Sequence, residues 1–145
     1  TETMSEAFTA GLLHDVGKLI LASHASEDYV VAMSKSKAEG MSLHEAEKEI
    51  FGLGHDGIGG YLLSLWGLPQ NIVESVAFHH TASECKGSTL TPSSIVYIAN
   101  HLSNSVSNRV GDEAQACFDN FIDELGLSDR VSEWCDDAAE DDEIR

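Results

Sequence analysis

The 145-residue sequence predicts an all-α bundle of about seven helices. Two observations carry that expectation. Apolar residues recur at helical spacing along the chain while alternating β-branched runs are missing, so the period is 3.6 rather than 2. Cap residues followed three positions later by Glu open several of the apolar stretches, and only two prolines interrupt the chain. A chain of this length supports one sizeable core, expected as a single domain over residues 1–145 with its core at about 4–126.

Taken in order, Thr3 with Glu6 forms a capping box, and Phe8, Leu12, Val16, Leu19 and Ile20 continue one helix over residues 4–22. Gly11 and Gly17 weaken it, either for close approach of another helix or as loose packing. Ser26 with Glu27 and Asp28 starts a second helix, whose stripe is Tyr29, Val30 and Met33 and whose stop is Gly40. Ser42 with Glu45 boxes a short acidic helix ending at Phe51, where His44, like His24 earlier, reads as a solvated bystander. Ile58, Tyr61, Leu62, Leu65 and Trp66 mark the next helix. Asp56, at its start, reads as a partner of the helix dipole. After Pro69, Asn71 with Glu74 caps a helix that packs Ile72, Val73, Val76 and Phe78 inward and delivers His79 and His80. Thr81 to Leu90 is a polar loop, and Thr91-Pro92 begins a helix with Ile95, Ile98, Ala99, Leu102 and Val106 as its buried stripe. Two more helices follow, from Ala114 to Leu125 and from Ser128 to about Ala139, before an acidic tail at about 136–145 that should fray.

Charge narrows the function classes. Against 25 acids stand 8 bases, a formal net charge of −17, which excludes the basic footprint that nucleic acid requires and disfavours an anionic membrane surface. No apolar run approaches the roughly 20 residues of a membrane span and no signal-peptide pattern opens the chain, so a cytoplasmic location is expected. Cys85, Cys117 and Cys135 lack any Cys-x-x-Cys spacing and are expected as reduced packing residues. Thr1 in place of methionine implies a piece of a longer chain.

The chemistry concentrates in Leu12 to Ile20, where His14, Asp15 and Lys18 stand inside an apolar helix. Buried polar groups without partners cost roughly 2–7 kcal/mol, so this pair must be satisfied by something. On a continuous helix His14 and Lys18 share a face and Asp15 is turned about 100° from His14. Further ligand types are available at His55, at the doublet His79-His80 and, as a neutral polar group, at Asn100.

Three segments together resemble the HD superfamily, and more narrowly the HDOD domain, an output domain of bacterial signalling proteins. They are Ala10 to Leu19 around His14-Asp15; Gly54 to Leu63 around His55, with Trp66-Gly67-Leu68-Pro69; and Ile72 to His80. The resemblance spans residues 7–106 and implies an HD-like helical bundle. It also implies a metal site at His14, Asp15, His55, His79 and His80 for a divalent first-row metal, iron, manganese, nickel or zinc. Two departures from catalytic relatives imply that this site is degenerate and could hold no metal at all. Asn100 stands where they carry an aspartate, losing the charge that offsets a dication, and their upstream ligand, a His or Glu on an earlier helix, has no candidate before His14. The Gly-Tyr-Pro signature of HD-GYP cyclic-di-GMP phosphodiesterases is absent after His80. The resemblance therefore points to a regulatory module that contacts other signalling proteins, or domains of its own parent chain, or senses a ligand. The alternative is a metal-dependent phosphohydrolase of nucleotides or cyclic dinucleotides, with water as nucleophile and Lys18 as the catalytic residue neutralising phosphoryl charge.

Overall fold

The first expected helix is two. The computed structural model describes residues 1–81, 89–106 and 111–142, and among these it contains nine helices and no strand. They are α1 (Glu2–Leu13), α2 (Val16–His24), α3 (Ser26–Glu39), α4 (Leu43–Phe51), α5 (His55–Leu65), α6 (Gln70–Ala77), α7 (Pro92–Val106), α8 (Asp112–Glu124) and α9 (Ser128–Asp142). The chain breaks at Asp15, which takes φ −96° and ψ 8° instead of helical angles. A tight turn from Lys18 N–H to the Asp15 carbonyl, 2.9 Å, restarts the helix. Periodicity runs through such a break undisturbed, because both halves keep the same apolar spacing.

Packing follows small residues. The α5 helix lies against α2 and α6, and α1 against α6 and α7. A Cβ on Gly17 would collide with the His55 carbonyl, and one on Gly60 would come within 2.8 Å of Ala77 Cβ. Glycine at these crossings lets the backbones approach. Gly11, by contrast, faces open space. One core cluster joins Ala10, Leu63, Ile72, Val76 and Val96, and a second joins Tyr97, Ile98, Phe118, Phe121, Ile122 and Val131. Helix α7 supplies both.

Ala7 and Ala10 are the buried residues of α1, so its larger side chains expected inside remain outside, Phe8 70 % and Leu12 71 % exposed; on α2 Gly17 and Leu21 are buried and Leu19 is 71 % exposed. Val30, Met33, Tyr61, Leu65 and Trp66 are exposed too, while Ala32 and Leu63 are buried. On α7 the buried set among the described side chains is Ser94, Val96, Tyr97, Ile98 and His101, with Ala99 on the exposed side. Cys117 and Cys135 are exposed free thiols and do not pack, and Cys85 lies outside the described residues.

The caps divide likewise. Ser42 and Glu45 form the expected box, and Gly40 (φ 69°) and Gly52 (φ 75°) close α3 and α4 in the left-handed conformation that glycine favours. Thr91 Oγ1 accepts from Ser94 N–H at the start of α7. Thr3 and Asn71 do not cap. The Asn71 amide donates to Glu6 Oε2 across α1 and α6 at 3.0 Å, and this one bond occupies groups from both expected boxes. Helix α9 continues to Asp142, past the onset of the expected frayed tail.

Candidate metal centre

Four segments converge on one polar cluster: the α1–α2 break, α4, the start of α5 and the end of α6. His14, Asp15, His55, His79 and His80 all meet there. Asp15 is the hub, because the break swings its carboxylate out of the helix line. Its Oδ1 lies 3.3 Å from His55 Nε2 and 3.8 Å from His79 Nε2, and its Oδ2 accepts from Lys18 Nζ at 2.7 Å. His14 Nε2 is 3.6 Å from Oδ2.

The imidazoles are oriented from behind. His14 Nδ1–H donates to the Gly11 carbonyl at 2.7 Å, His79 Nδ1–H to Val76 at 2.7 Å, and His55 Nδ1–H to the buried Glu47 Oε2 at 2.5 Å. Carbonyls and carboxylates only accept, so each Nδ1 carries its proton and each Nε2 faces the cluster. This is the outer-shell pattern that fixes metal-ligating histidines. His79 Nε2 is buried without a hydrogen-bond partner among the described residues. The ligand atoms of His14, Asp15 and His79, and again those of His55, His79 and His80, lie within 4.8 Å of one another. The donor set of imidazole nitrogens and one carboxylate suits a first-row divalent metal, and the unpartnered His79 nitrogen leaves it a place.

The electrostatics agree. Burial alone would raise the Asp15 carboxyl, but hydrogen bonds from His55 and Lys18 outweigh it and hold the group far below the ordinary range. Burial, joined by the His55 and His14 rings, pushes His79 down to about 4, and burial with its three neighbouring imidazoles depresses His80 strongly. Both rings are therefore neutral, ligand-ready nitrogen at neutral pH. His55 moves the other way: burial lowers it, yet the bonds to Asp15 and Glu47 raise it overall.

Asn100 does not join. Its Nδ2 donates to the His79 carbonyl at 3.4 Å and its Oδ1 accepts from Asn104 at 3.2 Å, so both ends of the amide are used outside the cluster. A cleft of about 190 Å³ between α1 and α7, lined by Ala7, Gly11, His14, Val96 and Asn100, opens beside it. Two participants escaped the sequence reading. Glu47 is fully buried behind His55, and His44, far from being solvated, donates to Asp56 at 2.9 Å and stacks on His80. The available signal was their spacing of three on α4, which puts both on one face.

Fold and cluster define an all-α domain of the His-Asp type. The family model described as HDOD domain matches residues 1–82, more than half of the chain, and the protein belongs to that family. The sequence is also similar to an uncharacterized protein of Treponema pallidum (strain Nichols), 27 % identical over 78 residues. That alignment covers 53 % of this chain and 15 % of the relative, so the chain spans a small part of its length. No solved structure matches significantly. Among the described residues no helix is long and apolar enough to cross a membrane.

Proposed function

We propose that this domain is a regulatory output module of bacterial signal transduction whose His-Asp site binds a divalent first-row metal without hydrolysing phosphoesters. The observation that carries the reading is the engagement of Asn100 with the His79 carbonyl and Asn104, which keeps position 100 out of the ligand set and leaves Asp15 as the one carboxylate among the five candidate ligands, with Glu47 behind His55. With one anionic ligand the site retains metal through its imidazoles, and Lys18, the cation at the cluster among the described residues, is already paired with Asp15. Bound metal would supply a fixed positive charge that ties the α1–α2 break to α5 and α6. The partners are other domains of the parent chain or other cytoplasmic signalling proteins, which the exposed Phe8, Leu12 and Leu19 favour and the net charge of −17 restricts to surfaces other than nucleic acid or anionic lipid.

A second reading is specifically favoured by the five convergent ligand residues: a phosphohydrolase in which water attacks the phosphoryl group and Lys18 offsets its charge. Elemental analysis of the purified protein for iron, manganese, nickel and zinc, with a His14→Ala/His79→Ala double variant, separates the outcomes. Near-stoichiometric metal that is lost in the double variant, with no turnover of cyclic-di-GMP or nucleotides by the loaded protein, is expected. Turnover that disappears with the metal would establish the hydrolase instead.

A further inference from the structure

His14, His55 and His79 are each oriented through Nδ1 by an oxygen, but the His80 ring is placed by other imidazoles. It stacks on His44 with ring centroids 4.2 Å apart and planes at 22°, meets His79 at 4.1 Å, and shares one N–H with His55 Nε2 at 3.0 Å. His44 is itself anchored. Its Nε2–H donates to Asp56 Oδ2 at 2.9 Å, with the His44 side chain 11 % and the Asp56 side chain 8 % exposed.

The helix dipole accounts for an acid in the first turn of α5, but not for the rest of this arrangement. Gly54 has φ −83° and ψ 168°, angles any residue adopts, so backbone freedom does not require glycine there. Room does. A Cβ on Gly54 would come within 2.6 Å of Asp56 Oδ1 and 2.8 Å of His44 Nε2. Asp56 Oδ1 is also buried with no hydrogen-bond partner among the described residues, a costly state for a group serving packing alone.

We propose that His44 is a positioning residue of the metal centre: Asp56 holds its ring, in the space Gly54 leaves, flat against His80, and so sets the direction of His80 Nε2. The inference rests on the metal-binding reading above. The His44 ring does not ligate; it narrows the orientations open to a ligand, and the carboxylate narrows those of His44.

Cobalt(II) titration of the full chain, followed by its visible absorption and by competition with zinc, tests this. Gly54→Ala changes no ligand and no charge, yet is expected to dislodge His44, weaken affinity about 10–100-fold and alter the cobalt spectrum. His44→Ala should do the same, and His44→Phe, which keeps a stacking face, should recover part of the loss. Circular dichroism identifies the variants that fold, and His44→Ala serves if Gly54→Ala does not. Folded His44→Ala protein with wild-type affinity and spectrum would overturn the proposal. Wild-type protein that takes up no cobalt or zinc would instead overturn the metal reading, and this inference with it.

Discussion

The two nitrogens of His55 are set to different tasks by their neighbours. Glu47 Oε2 accepts from Nδ1–H at 2.5 Å and also from the His55 backbone N–H at 2.8 Å, while Nε2 faces Asp15. A metal must take the place of any proton at Nε2, and a carboxylate behind Nδ1 makes that nitrogen a better donor. Glu47→Gln retains the shape and loses the charge; zinc affinity by competition titration should fall about 10–100-fold. Unchanged affinity would remove Glu47 from the centre. The sequence made His14, Asp15, His55 and the doublet legible because polar residues in apolar stretches stand out. It hid Glu47 and His44, because an acidic amphipathic helix disguises a buried acid among exposed ones. His101 lies away from this site, 7 % exposed, stacked on Phe118 at 3.8 Å, with Nε2–H donated to Gln115 at 3.1 Å and Asp119 nearby. Burial lowers its pKa although Gln115 and Asp119 raise it. The neutral ring is thus the folded form, and its stabilisation is complete above about pH 6.5, the unfolded value, and lost as pH falls through the lower folded value. His101→Phe keeps the stack and removes this titration. Its melting temperature should drop less than the wild-type one between pH 7 and 5; parallel curves would refute the assignment.

At the scale of elements, helix ends and crossings are tested by single residues. Ser42→Ala removes the box of α4, the helix that presents His44 and Glu47, and should cost about 1 kcal/mol in denaturant unfolding. The two early glycines, alike in sequence, should behave oppositely. Gly11→Ala meets nothing in α1 and should stabilise by about 0.5–1 kcal/mol. Gly17→Ala drives a methyl into the His55 backbone, where neither helix can yield without moving the site, and should destabilise by about 1–3 kcal/mol. Equal effects in urea titrations would mean that α2 and α5 do not cross this closely. Spacing alone left the roles of these glycines open, since the clash partner of Gly17 lies 38 residues on in a different helix. The same limit explains the apolar stripes. Periodicity gives the existence of a face, but which face is covered depends on neighbours that only the fold supplies, and α1 chose its alanines.

Across the whole molecule, the family match at residues 1–82 contains the cluster, while α7 ties the first core to the second through Val96 on one side and Tyr97 and Ile98 on the other. The all-α class was readable because every stretch shared one period. The site's assembly was not, since its groups come from the break after α1, from α4, from the start of α5 and from the end of α6, and each is positioned by bonds that span sequence. That dispersion makes metal binding a whole-molecule stabiliser. A ligand at 100 times its Kd adds about 2.7 kcal/mol to folding, which for a chain of this size corresponds to roughly 5–10 °C in melting temperature. Chelator should therefore lower the wild-type melt by that amount, added zinc should restore it, and the His14→Ala/His79→Ala protein should respond to neither. If the wild-type melt ignores both reagents, the cluster is held by its own hydrogen bonds. His14→Ala should then destabilise the metal-free protein, because Asp15 would lose a neighbour that nothing replaces.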